Sequence, residues 1–262
     1  MRRARKLVTI SLGPLGDEEI KGFIQNTIGR IPGEDIVNRM NLLTGGNPFF
    51  LTECVRSAKW EMDGYVLMAL QEDCSPPETV TALVRDKENG LEAESLLILK
   101  AAAILGNKFC PDVLEEMVGM DTDHVATGLE ELINEGFLDV NTAIRPLGGY
   151  SFKHDVEREV ILMNLTPSQK RSLHLKAATA LQKRREGFPK FAEALAYHWE
   201  TSLQQHEALS AWLEAGRYAR SKFNRNDTYR AHARGLDLIM KAPTLFPESK
   251  VYELINEFGN YP

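Results

Sequence analysis

The feature that most constrains the fold of this chain is the spacing of its hydrophobic residues, which from Asp17 onward follows the period of an α-helix almost throughout. In the first such stretch the apolar residues share one helical face, and they are Ile20, Phe23, Ile24 and Ile28. Acidic residues fill the first turn, and Gly29 and Pro32 end the stretch. The spacing therefore predicts a helix over residues 17–28.

The next stretch repeats this pattern and then stops at a glycine pair. Its apolar residues are Ile36, Val37, Met40 and Leu43, and it ends at Gly45-Gly46. Asn47 follows with the side chain of a helix N-cap, and Pro48 suits the first helical position. A third helix is expected from there to about residue 59. The sequence thus predicts a small helical bundle within residues 17–75.

Residues 7–12, Leu-Val-Thr-Ile-Ser-Leu, are the one strand-like segment near the start of the chain, and Gly13-Pro14 closes it. A lone strand needs neighbours, so residues 1–16 are interpreted as the last strand of a core that this sequence does not contain. The basic residues before the segment imitate a secretory signal, but the apolar run is short and no cleavage site follows. A buried strand is the preferred interpretation.

Pro76-Pro77 marks the next boundary, and residues 76–165 have the element order of a winged helix. Helices are predicted near 78–87 and 91–105, from Pro111, and over Thr122 to Asn134. Two short strands follow, at 136–140 and 150–153, joined by a loop that contains glycine and proline. The small hairpin would be the wing.

Beyond Pro167 every predicted element is a helix. The helical faces carry small residues that allow close packing, namely Ala211, Ala215, Ala219, Ala231 and Gly235. Such faces are typical of solenoids that resemble tetratricopeptide repeats (TPRs). Residues 166–262 are therefore interpreted as a truncated TPR-like array of about two units. The fold class expected for the whole chain is mainly α: helical bundle, winged-helix domain with a small β-hairpin, then α-solenoid.

Composition narrows the class of protein. The chain has 43% hydrophobic and 26% charged residues, close to an ordinary globular protein, and three widely spaced cysteines that favour a reducing compartment, so a cytoplasmic location is expected. Its longest apolar run is too short to span a bilayer.

The two parts of the chain differ in net charge. Residues 1–165 carry 16 basic and 27 acidic side chains, a net charge of about −11, whereas residues 166–262 carry 15 basic and 10 acidic side chains, a net charge of about +5. This asymmetry marks either an interaction surface or ordinary solvated faces.

No catalytic constellation is evident in the sequence. It has no phosphate-binding loop ending in Gly-Lys-Ser/Thr, no paired CxxC, no HExxH and no GxSxG motif. The six histidines are scattered, and His198 with His206 lacks the spacing of a zinc site. We therefore predict no catalytic residues and no metal ligands. Turnover of ATP by this chain alone is not expected.

Several ordered segments resemble one family of signalling proteins. They are Thr44-Gly-Gly-Asn-Pro-Phe-Phe50, Pro77-Glu-Thr-Val-Thr-Ala-Leu-Val-Arg-Asp86, Leu99-Lys-Ala-Ala-Ala-Ile-Leu-Gly106, Leu129-Glu-Glu-Leu-Ile-Asn-Glu-Gly-Phe-Leu138, Phe152-Lys-His-Asp-Val-Glu-Arg-Glu-Val160 and the helical stretch from Leu195-Ala-Tyr-His-Trp199 to Leu238. Their order and spacing resemble signal-transduction ATPases with numerous domains, the STAND class of AAA-type ATPases. Within it they are most similar to the ATPase region associated with class III adenylate/guanylate cyclases, including soluble adenylyl cyclases. The resemblance covers nearly the whole chain.

The resemblance implies a lid (17–75), a winged helix (76–165) and a repeat array (166–262), and it assigns contacts to ATP or ADP in the context of a complete ATPase core. Pro48 would lie near the adenine, with Gly46 and Asn47 shaping the turn. His154 would touch the phosphates, and His154-Asp155 resembles the His-Asp pair of disease-resistance ATPases. The alternatives are that residues 46–48 only cap a helix and that His154 only begins one.

Three functions remain open at this point. The first is a regulatory, non-catalytic portion of a nucleotide-dependent signalling ATPase. It would act with an ATPase core and an output domain, in cis or in trans, and would couple the nucleotide state of that core to the binding of a protein partner on the repeats. The second is a winged-helix transcriptional regulator. The segment from Thr122 to Glu135, which covers the DNA-reading helix expected in that class, carries four acids and no Lys or Arg, so we expect no specific nucleic-acid binding. The third is a TPR-like interaction scaffold. No membrane association is expected.

Overall fold

A computed structural model describes residues 13–58, 76–141, 149–184 and 191–259, and it is mainly helical as predicted. The helices in these ranges are α1 (Asp17–Ile28), α2 (Glu34–Thr44), α3 (Pro48–Ser57), α4 (Glu78–Asn89), α5 (Ala93–Leu105), α6 (Pro111–Val118), α7 (Thr122–Asn134), α8 (Asp155–Asn164), α9 (Pro167–Arg184), α10 (Ala192–Thr201), α11 (Gln205–Ser221), α12 (Arg225–Lys241) and α13 (Glu248–Gly259). The strands are β1 (Lys108–Phe109), β2 (Leu138–Asn141) and β3 (Gly149–Phe152), and a short 3-10 helix spans Pro243–Leu245.

The contacts divide the chain into two compact units. The first unit comprises Met1–Gly90 and Phe152–Val160, and the second comprises Leu91–Ser151 and Ile161–Pro262. The predicted strand at residues 7–12, residues 59–75 of the predicted bundle, the loop between β2 and β3 and the predicted break at 187–189 lie outside the described residues. The domain boundaries expected at residues 76 and 166 remain predictions.

In the first unit, α1, α2 and α3 pack around an apolar core, as their spacing predicted. The core side chains are almost fully buried, and they include Ile20, Ile24, Met40 and Leu51. The start of α1 is capped by the Glu19 carboxylate, which accepts a hydrogen bond of 2.8 Å from the Gly16 backbone N–H. Gly29 and Gly45 end α1 and α2 in the left-handed conformation that favours glycine.

In the second unit, the three strands form a sheet in the order β1-β3-β2, in which β1 contacts α5 and β2 contacts α7. β1 pairs antiparallel with β3, so that Lys108 lies opposite Ser151 and Phe109 opposite Tyr150. The two predicted strands and the bounds of α7 are confirmed. The strand β1 was not predicted from the sequence, because two residues are too few to show the alternation of a strand.

The helices α9 to α13 form an array in which each helix packs against the next. The small residues on these helices are buried, as predicted from their spacing: Ala211, Ala215, Ala219, Ala231 and Gly235. The helices α11 and α13 are also joined by ion pairs, since Glu257 accepts hydrogen bonds of 2.8 Å from both Arg217 and Arg220. Within the described ranges, no helix combines the length and the apolar character that crossing a membrane requires.

Candidate functional site

The turn between α2 and α3 is built from the residues that the resemblance selected. Gly45 and Gly46 both have positive φ, at 57° and 71°, and reverse the chain so that Asn47 can cap α3. The Asn47 Oδ1 atom accepts hydrogen bonds from the backbone N–H groups of Phe49, at 2.9 Å, and Phe50, at 3.5 Å. Pro48 occupies the first turn of α3 and is exposed. The predicted N-cap is confirmed.

Gly46 is fixed in this turn by a backbone contact on its other side. The Leu15 N–H donates to the Gly46 carbonyl oxygen at 2.9 Å. A Cβ atom on Gly46 would lie 2.3 Å from the Leu15 carbonyl oxygen, closer than any non-bonded carbon can approach. Only glycine therefore fits here, for reasons of both conformation and space.

His154 lies directly against this turn. Its Nδ1 atom is 3.1 Å from the Thr44 carbonyl oxygen, and its Nε2 atom is 3.4 Å from the Asn47 side-chain amide nitrogen. The ring also meets the Phe50 ring edge-on, with centroids 4.9 Å apart. A Cβ on Gly45 would lie 3.1 Å from His154 Nδ1, so the histidine packs on bare backbone. The structure thus brings together Gly46, Asn47, Pro48 and His154.

The hydrogen-bond network assigns the proton on the His154 ring. Asn47 uses its Oδ1 atom as the N-cap acceptor, so its Nδ2 amino group faces His154 and donates. The Thr44 carbonyl can only accept, so Nδ1 of His154 carries the hydrogen and Nε2 accepts from Asn47. A second proton, on Nε2, would set two N–H donors against each other.

Two ion pairs within the first unit hold the start of α8, and with it His154, in place. The Lys87 ammonium lies 2.8 Å from the Glu157 carboxylate, and Arg39 lies 3.5 Å from Glu159. Glu157 is only 2% exposed, and this burial raises the pKa of its carboxyl although the Lys87 charge opposes it. Asp155, the other half of the predicted His-Asp pair, faces Arg158 at 3.7 Å.

A buried histidine pair in the second unit escaped the sequence analysis. Nδ1 of His174 on α9 lies 2.8 Å from Nδ1 of His198 on α10, and both residues are buried. His206, which the sequence paired with His198 as possible metal ligands, packs against Phe246. Helical spacing gives no sign of a contact between helices, so no sequence signal identified the pair. No group of three or more potential ligands occurs in the described part of the chain.

No protein-family model matches this sequence, and no curated protein matches it. Among solved structures, the chain is similar to the Signal Transduction ATPase with Numerous Domains (STAND) protein with a tetratricopeptide repeat sensor from Pyrococcus horikoshii, at 10% sequence identity and a TM-score of 0.32. The match covers 93% of this chain and 44% of that chain, so this chain spans less than half of that protein's length.

Proposed function

We propose that this chain is the regulatory portion of a nucleotide-dependent signalling ATPase, in which the turn at Gly46-Asn47-Pro48 contacts the adenine and His154 contacts the phosphates. The observation that supports it best is the direct contact between Asn47 and His154, which are 107 residues apart in the sequence. Groups that bind the base and the phosphates of one nucleotide must lie within the length of that nucleotide, and this contact brings the two segments that close. Exposed Pro48 and the half-exposed Phe49 ring, at 47%, offer an apolar face beside them.

The contact between Asn47 and His154 can also open to admit an anion. The distance of 3.4 Å is long for a hydrogen bond, so little energy is lost when it breaks. An oxyanion between the two side chains would accept from the Asn47 amide and from Nε2 of a protonated His154. Charge-assisted hydrogen bonds of this kind are about twice as strong as neutral ones. Nucleotide would thereby favour one arrangement of the first unit over another, which is the requirement for a switch.

The other segments of the chain would have separate roles in this ATPase. Residues 76–165 would act as a winged helix that carries His154 rather than as a reader of DNA, because α7 is acidic. The array of α9 to α13 would receive a protein partner, and the ATPase core and a cyclase-type output domain would act in cis or in trans. Nucleotide turnover would belong to that core. A cytoplasmic location fits this role.

Nuclear magnetic resonance of the isotope-labelled chain tests the proposal. Adenosine should shift the amide signals of residues 46–50, and pyrophosphate should shift those of residues 153–155, each with a dissociation constant in about the millimolar range because the sequence contains no phosphate-binding loop. Asn47→Asp is the decisive variant, since aspartate caps a helix as well as asparagine but replaces the amide donor with a negative charge. It should keep the fold and lose the response to pyrophosphate. Shifts confined to other regions, or an unchanged response in Asn47→Asp, would contradict the proposal.

A further inference from the structure

The helix α12 has two apolar faces, whereas a helix that packs on one side of an array needs only one. The buried face consists of Thr228, Ala231, His232, Gly235, Leu238 and Ile239. The second face lies on another side of the helix and consists of Tyr229, which is 61% exposed, half-buried Ala233, Leu236, which is 37% exposed, and Met240, which is 71% exposed. This exposed seam belongs to no part of the candidate nucleotide site.

The spacing within the exposed seam is that of a coiled coil. Its four residues follow one another at steps of four, three and four, which are the steps between successive d and a positions of a heptad. Over residues 229–240 the seam is about 18 Å long. Single exposed apolar residues need no explanation, but a narrow continuous seam with this spacing fits a second helix.

Two residues beside the exposed seam carry opposite charges. Arg230 and Asp237 occupy e positions seven residues apart, so they flank the same edge of the seam. Within the chain Arg230 bonds to Glu193 at 2.8 Å, and Asp237 bonds to Lys241 at 2.6 Å. All four side chains are partly exposed to solvent, and ion pairs of this kind contribute little to stability. Arg230 and Asp237 can therefore exchange partners at low cost.

We propose that the exposed seam packs antiparallel against the same seam of a second copy of this chain. The twofold axis passes midway along residues 229–240, as an interface between identical surfaces requires. In this register Tyr229 of one copy faces Met240 of the other. Ala233 faces Leu236, so that a small residue accommodates a large one. The seam is thus complementary in shape to itself.

The flanking charges favour the same arrangement. Across an antiparallel pair of helices e positions face e positions, so Arg230 of each copy meets Asp237 of the other and each dimer gains two ion pairs. In a parallel pair the e positions would face g positions, which are His232 and Ile239 and are buried in the array. Charge complementarity therefore favours an antiparallel second copy over a parallel one.

Sedimentation equilibrium of the full chain tests the proposal. Because one helix per copy supplies the contact, the dimer should be weak, with a dissociation constant on the order of 10–100 μM. Leu236→Glu places a charge in the seam and should weaken association at least about tenfold. Leu175→Glu is the matched control, since Leu175 is a leucine of α9 with nearly the same exposure, 39%, and its substitution should change the constant less than about twofold.

A charge exchange tests the register of the two copies. Arg230→Asp sets Asp against Asp in its own dimer, and Asp237→Arg sets Arg against Arg, so each variant alone should associate about fivefold more weakly or worse. An equal mixture of the two variants re-forms both ion pairs and should associate within about twofold of the wild type. Mixing cannot restore the contact of Arg230 with Glu193, so recovery reports the contact between copies. Circular dichroism should show unchanged helix content in every variant.

Three results would overturn the proposal. The first is a chain that stays monomeric at about 500 μM, well above the expected dissociation constant. The second is a loss of association in Leu175→Glu as large as in Leu236→Glu, or a dimer that survives Leu236→Glu, since either would assign the contact to another surface. The third is a mixture of the two charge variants that associates no better than each variant alone.

Discussion

Gly46→Ala should destabilise the first unit more than any ordinary glycine substitution, because Gly46 is limited by both conformation and space. An alanine at φ of 71° costs about 1–2 kcal/mol in a left-handed conformation. Its Cβ would also lie 2.3 Å from the Leu15 carbonyl oxygen, so the turn must move and the hydrogen bond from Leu15 N–H must weaken. Loss of that bond adds about 1 kcal/mol. The expected total is about 2–3 kcal/mol.

Gly29→Ala is the matched control. Gly29 has a similar φ, of 77°, but no atom of the residues that the structure describes lies within 4 Å of the position that its Cβ would take. The conformational cost and the reduced freedom of the unfolded chain are then common to both variants and cancel in the comparison. Gly46→Ala should therefore exceed Gly29→Ala by at least about 1 kcal/mol.

Native-state hydrogen exchange at the amides of α1 and α2 measures this difference within the first unit, without assuming that both units unfold together. Protection of these amides should fall in both variants, and by at least about fivefold more in Gly46→Ala. Equal losses in the two variants would refute the reasoning, because they would show that the contact with Leu15 imposes no constraint on the turn.

Three further predictions concern the second unit. Gly216→Ala should destabilise the array by about 1–3 kcal/mol in urea unfolding, although alanine favours helix, because its Cβ would lie 2.1 Å from Nε2 of buried His232. Burial acts to raise the pKa of the Glu257 carboxyl, but Arg217 and Arg220 outweigh it and lower that pKa below its ordinary 4.5. The folded state therefore binds a proton at Glu257 less well than the unfolded state does. The stability that the Glu257 carboxylate contributes is present above pH 4.5 and is lost as the pH falls through the lowered pKa. In Glu257→Gln, the urea midpoint should therefore depend less on pH in this window. Duplex DNA should show no sequence-dependent mobility shift at about 150 mM salt, and a specific complex would contradict the role given to α7.

The sequence predicted the local structure well where a single turn of chain decides it. Asn47 followed by Pro48 begins α3 as expected, and α7 has the bounds that its apolar face indicated, because caps and periodicity act over a few residues. The contact between His154 and Asn47 is different, since it joins residues 107 positions apart. Only the family resemblance selected both His154 and Asn47 as site residues, and no periodicity in the sequence indicates a contact between them.

Contacts between helices explain what the sequence did not provide. The small residues of α11 indicated close packing, but nothing in the pattern showed that His232 fills the space above Gly216. The pair of His174 with His198 was missed for the same reason, because it depends on how two helices face each other. The acidic character of α7, in contrast, was already visible in the sequence.

The affinity of the chain for ADP, measured for the wild type and for His154→Ala, tests the central claim most directly. His206→Ala is the control, because it removes an exposed histidine that packs on Phe246, away from the turn. If His154 donates to a phosphate, its removal should cost a hydrogen bond to a charged group, worth about 1.5–3 kcal/mol, or at least about a tenfold loss of affinity. His206→Ala should bind ADP like the wild type. Equal affinity in all three proteins would contradict the account and leave His154 as a residue that only begins a helix.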